Sequence, residues 1–391
     1  MRVEKQSVNR SVLLAALAAL ILACPAQAAV KKGPLKIFLL AGQSNMEGHA
    51  ELRTIDFLGE DPDKDRAALL KKFKPDGKTL VTRDDVWVVS NGAVFDKLQP
   101  GLGARGDSAK LGNQIGPEYA FGYFMAEALD QQVLLIKVAE GGTSLYENWR
   151  PPSAGPIPSV PAGMDPKNCG EMYRALVANT RETLRDLKKL FPDYDEKAGY
   201  EIAGFVWFQG FNDMQVWYDQ GFTTTGRARK EYGTNLVCLI KDLRKELNAP
   251  NMKVVVGVMG LGGPRNEIGK QKEVRDGHRF VNTVPEFKGN VKAIETAPLL
   301  HPKILELNCA GSPPANVVRT LPNPPGNNPC PGQWLYPERD LEKNPITPEE
   351  QAMLNRATSN FGFHYFGEGR FFILLGKAFA DTMQELMGVK K

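Results

Sequence analysis

Histidine and cysteine are scarce in this chain: four histidines and five cysteines in 391 residues. None stands in a zinc-type Cys/His spacing, so the sequence predicts no metal site. It carries no Gly-rich phosphate loop, which excludes the common nucleotide-binding signatures. There is no internal repeat, which excludes solenoids and propellers. Charge of one sign is lacking too: 49 Lys and Arg stand against 45 Asp and Glu, a net charge of +4. A chain so nearly balanced is not built to hold a polyanion, and nucleic acid is not expected as a partner. The one long apolar stretch, within Ser11–Cys24, is too short for a stable membrane span.

What is present begins with that stretch. It follows Arg2, Lys5 and Arg10 and precedes Ala26-Gln27-Ala28, a small-x-small cleavage site. Residues 1–28 therefore read as a signal peptide, and 29–391 as one folded region exported to the periplasm or beyond. Ile21-Leu22-Ala23-Cys24 offers a second reading, a lipoprotein anchor at Cys24. Leu22 and Pro25 fit that pattern poorly, which favours the soluble form. Export would permit disulfides among Cys169, Cys238, Cys309 and Cys330. Cys309 and Cys330 flank a Pro/Asn-rich stretch. Closing that loop could add ~3 kcal/mol on the chain-entropy model. Four cysteines allow three pairings, and the sequence does not choose among them.

Apolar runs alternate with helical patterns, the mark of a parallel sheet covered on both faces. Strands are expected at Leu35–Ala41, Val133–Val138, Gly204–Gln209, Lys253–Met259 and Val291–Thr296, with Val86–Ser90 as a further strand in an excursion. Helices are expected at Pro117–Leu129, Met172–Leu190, Lys230–Leu247 and Gly367–Leu386. Insertions near 47–83, 150–166 and 298–348 interrupt the rhythm. Such segments are either binding loops or solvated decoration.

Four segments carry groups that could do chemistry. The run Leu35–Ala41 stops at Gly42-Gln43-Ser44-Asn45, which puts a hydroxyl just past the carboxyl end of a strand. Open α/β sheets bind their ligands there. Val133–Val138 leads to Gly141-Gly142, Gly204–Gln209 to Asn212-Asp213, and His364 stands just before the last helix. Parallel strands would bring all four together. A serine hydroxyl needs a base, and histidine titrates in the right range. An ester carbonyl under attack becomes an oxyanion, which a backbone N–H at Gly142 and the Asn212 amide could hold. One such donor is typically worth ~3–4 kcal/mol in the transition state. Simpler readings stand beside these: Ser44 as a helix cap, Asn212-Asp213 as an N-cap pair, Gly141-Gly142 as a turn. Trp149, Trp217-Tyr218 and Trp334 could offer aromatic faces to a sugar, or pack in the core. Arg150 could reach an acidic sugar or face solvent. His49, His278 and His301 have no supporting pattern, although His49 is close to Ser44 in the chain.

Taken in order, Gly42-Gln43-Ser44-Asn45-Met46, Gly141-Gly142, Gly210-x-Asn212-Asp213 and His364 resemble the four blocks of the sialate O-acetylesterase-type carbohydrate esterases, within the SGNH hydrolase superfamily. The resemblance runs from Lys36 to about Met387. It implies a three-layer α/β/α sandwich with a mostly parallel, flavodoxin-like sheet. It also implies cofactor- and metal-independent removal of O-acetyl groups from an acetylated saccharide. Ser44 would be the nucleophile and His364 the base. The Ser44 N–H, Gly142 (with Gly141 as runner-up) and Asn212 would hold the oxyanion. Gln43 and Gln209, at the ends of adjacent strands, could brace each other beneath the site. One position departs from the pattern. Family members commonly carry Asp three residues before the histidine, and here that residue is Phe361. Asn360 cannot supply a carboxylate, so Asp213, Glu368 or a backbone carbonyl are left as partners for His364, unless Glu368 is simply exposed at the start of the last helix. Two alternatives follow: a hydrolase of another ester on the same scaffold, or a carbohydrate-binding protein that no longer catalyses.

Overall fold

The computed structural model describes residues 33–104, 109–157, 167, 169–214, 227–264, 269–308 and 344–389. The expected signal peptide, Cys24, Cys309, Cys330, Trp217-Tyr218, Trp334 and most of the 298–348 insertion lie outside them. Seven strands form one sheet: β1 (Leu35–Gly42), β2 (Val86–Ser90), β3 (Ala93–Phe95), β4 (Val133–Ala139), β5 (Tyr200–Phe208), β6 (Lys253–Val258) and β7 (Val291–Glu295), in the order β3-β2-β4-β1-β5-β6-β7. Every pairing is parallel except β2 with the edge strand β3. The inner strands are apolar runs buried along most of their length, as a sheet covered on both faces requires.

Alternation within the strands divides the two covering layers. Phe38 of β1 meets Phe121 of α2 (Pro117–Ala128), with ring centroids 5.5 Å apart. Phe208 of β5 meets Phe379 of α7 (Gly369–Met387) at 5.7 Å. These two helices touch closely, because a β-carbon on Gly376 would lie 2.4 Å from the Pro117 carbonyl oxygen. On the other face the Trp207 indole donates to the Tyr232 hydroxyl of α4 (Arg227–Glu246) at 3.1 Å. α3 (Glu171–Arg185) and α5 (Gly269–Arg279) complete the set of long crossover helices, and the molecule is a three-layer α/β/α sandwich.

Several expectations are corrected. Val86–Ser90 is not in an excursion but an integral strand, paired in parallel with β4. Its five residues are all buried, which an outlying hairpin could not achieve. The helix expected over Met172–Leu190 breaks at Asp186. The insertion at 47–83 is folded: a 3-10 helix, Leu52–Glu60, buries Ile55, Phe57 and Leu58 and packs against α7. Phe73 is buried among Tyr119, Tyr123 and Phe124 of α2. Cys169 and Cys238 are free thiols.

Candidate active site

β1, β4 and β5 end level with one another, since Gly42 is in register with both Ala139 and Phe208. The next residues, Gln43, Glu140 and Gln209, therefore leave the sheet side by side. This is where the strand order reverses about β1, the position at which doubly wound sheets form a crevice. Gly42 has to be glycine: a β-carbon there would lie 2.1 Å from the Phe208 carbonyl oxygen. Ser44 opens the short helix α1 (Ser44–Glu47). Its N–H, in the first turn of a helix, has no intrahelical acceptor and can serve an anion.

Gln43 and Gln209 form the floor. The Gln43 Oε1 accepts from Gln209 Nε2 at 3.2 Å, from the Gly210 N–H at 3.0 Å and from the Phe211 N–H at 2.9 Å. Gln209 Nε2 also faces the Thr143 carbonyl at 3.0 Å and Asp213 Oδ2 at 2.7 Å. Asn212 donates to the same Thr143 carbonyl at 3.0 Å. One amide proton of Asn212 thus ties the third block to the second and leaves its other proton for a ligand. Gly141 lies against Ser44, since a β-carbon on it would be 3.7 Å from Ser44 Cβ. Gly142 holds φ +77°, a glycine conformation, and a β-carbon there would meet nothing within 4 Å.

His364 sits in a 3-10 turn, Gly362–Gly367, that leads into α7. Asn45 Nδ2 donates to the Phe363 carbonyl at 3.0 Å, which fastens this turn to α1. Asn360 supplies the orienting group. Its Oδ1 accepts the Phe361 N–H at 2.8 Å and lies 2.9 Å from His364 Nδ1. An atom that accepts one N–H is an oxygen, so His364 Nδ1 carries the proton and Nε2 keeps the basic lone pair. Burial, with the neighbouring His49 adding to it, pushes the His364 pKa down to about 3. That setting favours the neutral imidazole.

The expected acids are elsewhere. Asp213 is fully buried, and its carboxylate accepts from the N–H groups of Leu145 and Tyr146 at 3.0 and 2.9 Å, besides Gln209. Burial lifts its pKa to about 6. It shapes the turn after β4 and does not orient His364. Glu368 is not at an exposed helix start: it is buried and pairs with Arg370 at 3.0 Å, with its pKa raised to about 7 by burial. Arg370 in turn holds Asp61 at 2.5 Å. Trp149 is a core residue stacked edge-on to Trp207, and Arg150 is spent on the carbonyls of Tyr146, Ala154 and Gly155. Both side chains are buried.

Four features beside the site were not foreseen. His49 stacks flat on His364, and Glu47 lies 3.3 Å behind His49. Lys137, the lone charge in the run VLLIKVA, is buried and donates to the Glu47 carbonyl at 2.7 Å and to Glu118 at 2.8 Å. Phe211, Phe363 and Phe361 stack in succession at 5.5 and 4.9 Å, and Phe363 abuts His364 edge-on at 4.5 Å. Phe361 and Phe363 are half-buried and lie outside the main hydrophobic core. The fourth is Asn360, a neutral amide in contact with His364 where a carboxylate or a backbone carbonyl was expected.

The chain is similar to several known proteins. A probable carbohydrate esterase of Arabidopsis thaliana is 26% identical over 254 residues, covering 64% of this chain and 78% of that protein. The solved structure of an A. thaliana protein is similar at 22% identity and TM-score 0.44, over 68% of this chain and 88% of the other. A carbohydrate acetylesterase of Xanthomonas citri is similar at 13% identity and TM-score 0.39, over 68% of this chain and 50% of the other. The profile of the carbohydrate esterases known as sialic acid-specific acetylesterases matches residues 34–302, and the chain belongs to that family of ester-hydrolysing enzymes.

Proposed function

We propose that this chain is an exported serine esterase that removes O-acetyl groups from carbohydrates through an acetyl-Ser44 intermediate. One observation carries the reading. Ser44 and Asn212 follow the ends of adjacent parallel strands, and the turn bearing His364, its tautomer set by Asn360, is tied to the Ser44 helix. His364 Nε2 takes the Ser44 proton as Oγ attacks the acetyl carbonyl. The N–H groups of Ser44 and Gly142 and the free amide proton of Asn212 hold the oxyanion. The C–O bond to the sugar breaks, and His364 returns the proton to the departing hydroxyl. Water then attacks the acetyl-enzyme with His364 as base, and acetate leaves. No cofactor enters the scheme.

The stacked Phe211, Phe363 and Phe361 supply a flat apolar surface beside the base, suited to the C–H face of a pyranose ring. Residues 1–28 would be the leader and 29–391 the esterase domain. Among the described residues no helix is long and apolar enough to cross a membrane.

Acetate release from acetylated xylan and aryl acetates tests the proposal. Ser44→Ala should lose at least about 10³-fold in kcat while staying folded. Full activity in that variant would refute it. Phe361 favours one other reading, a binding protein without turnover, which retained sugar binding with no acetate release from any ester would establish.

A further inference from the structure

His364 must accept a proton in a buried setting where its orienting partner is a neutral amide. Asn360 fixes the tautomer, but it cannot offset the charge of the imidazolium that forms. Beside it the structure places a second imidazole and a carboxylate. The rings of His49 and His364 lie 4.0 Å apart with their planes 5° from parallel. Behind the outer ring, Glu47 Oε2 is 3.3 Å from His49 Nε2, and both side chains are about four-fifths shielded from solvent. The Glu47 backbone is anchored from below by Lys137, whose charge is matched by Glu118. Glu47, His49 and the Lys137–Glu118 pair are the charged and titratable groups that the α1 segment and its support bring to this face.

We propose that His49 and Glu47 are a positioning pair for His364. The stacked ring fixes the imidazole plane, and the Glu47 carboxylate supplies across it the negative charge that Phe361 does not. The inference rests on the serine-esterase reading. In the attack step the proton moves from Ser44 Oγ to His364 Nε2 while the Oγ–carbon bond forms. His49 and Glu47 exchange no proton in that step. A flat stack opposes rotation of His364 away from Asn360. A carboxylate one ring away favours the imidazolium over the neutral ring.

The test combines two readouts. With four histidines in the chain, the imidazoles can be titrated by NMR in a Ser44→Ala background, without turnover. Glu47→Gln should shift proton uptake at His364 downward. In the active enzyme the same variant should lower kcat about tenfold, leave KM unchanged and move the acid limb of the pH profile downward. His49→Phe keeps a flat ring but cuts the link to Glu47, and should match it in kcat. Adding Asn360→Asp to Glu47→Gln should restore both kcat and the titration. An unchanged titration in Glu47→Gln, or no rescue by Asn360→Asp, would overturn the pair. If the wild type releases no acetate yet the titrations behave as stated, the pair stands and the esterase reading fails.

Discussion

Gly42 and Asn360 show how much of this site depends on single atoms. At Gly42 a β-carbon would press on the carbonyl that ends β5, so β1 and β5 could not both finish level. Gly42→Ala should cost ~1–3 kcal/mol in a urea titration, as overpacking usually does. Its activity should fall by more than the stability loss explains, because Gln43 and Ser44 leave the sheet from that residue. Equal stability and activity to wild type would contradict this account. Asn360 was legible in the sequence only as a residue of the wrong charge. Counting back from the histidine to a carboxylate lands on Phe361, whose ring turns outward to stack on Phe363. The neighbouring amide reaches the imidazole instead. Residue type singled out Ser44, Asn212 and His364 as candidates, because their chemistry is specific. It could not single out Asn360, His49 or Glu47, whose contacts with His364 and with each other exist only once the turn after Gly362 lies on α1.

At the scale of elements, the turn that carries His364 is the strained one. Tyr365 and Phe366 follow it with φ of +51° and +59°, both left-handed and neither glycine. Such conformations persist only where the surroundings fix them. Here the Tyr365 hydroxyl accepts the Gly260 N–H at 2.9 Å, and its ring stacks on Phe371 at 4.1 Å. Tyr365→Phe keeps the stack but strips a buried N–H of its acceptor. We expect a loss of ~1–3 kcal/mol by chemical denaturation. A lower kcat should accompany it as the turn relaxes. A purely packing role would leave both unchanged. No sequence pattern foretells this turn, because two bulky residues at positive φ contradict local propensity. The strands and long helices were readable, since burial on both faces and apolar faces at helical spacing leave a trace in residue order. α6 (Pro348–Ala357) was missed despite its cue: Thr347 and Glu350 form a capping box directly after Pro-rich sequence. The 47–83 segment misled for the opposite reason. Its charges dominate the composition, while a few apolar residues spaced along it do the packing.

For the whole molecule, the buried titratable groups pull stability in opposite directions with pH. His278 and His301 are held down to about 4, and His364 to about 3, mainly by burial. The unfolded chain protonates these rings first, so their contribution is complete above about pH 6.5 and drains as pH falls below it. Asp213 and Glu368 are raised to about 6 and about 7. Folded, they bind protons that the unfolded chain would release, so their contribution is complete at low pH and is lost as pH rises through those values. Between about pH 4.5 and 6.5 three histidines thus oppose two carboxyls. The balance is near one proton, so unfolding free energy should fall on acidification by only about 1.4 kcal/mol per pH unit. Glu368→Gln removes one of the two opposing groups and keeps the side chain's shape beside Arg370. Its urea stability should fall about twice as steeply over that window, while the wild type stays shallow. Parallel slopes for the two proteins would mean that Glu368 is ionised throughout, bound to Arg370 as a permanent pair. The steeper slope would mean that a carboxyl four residues from His364 is held protonated, so that the turn bearing His364 keeps its footing on α7 as the medium acidifies.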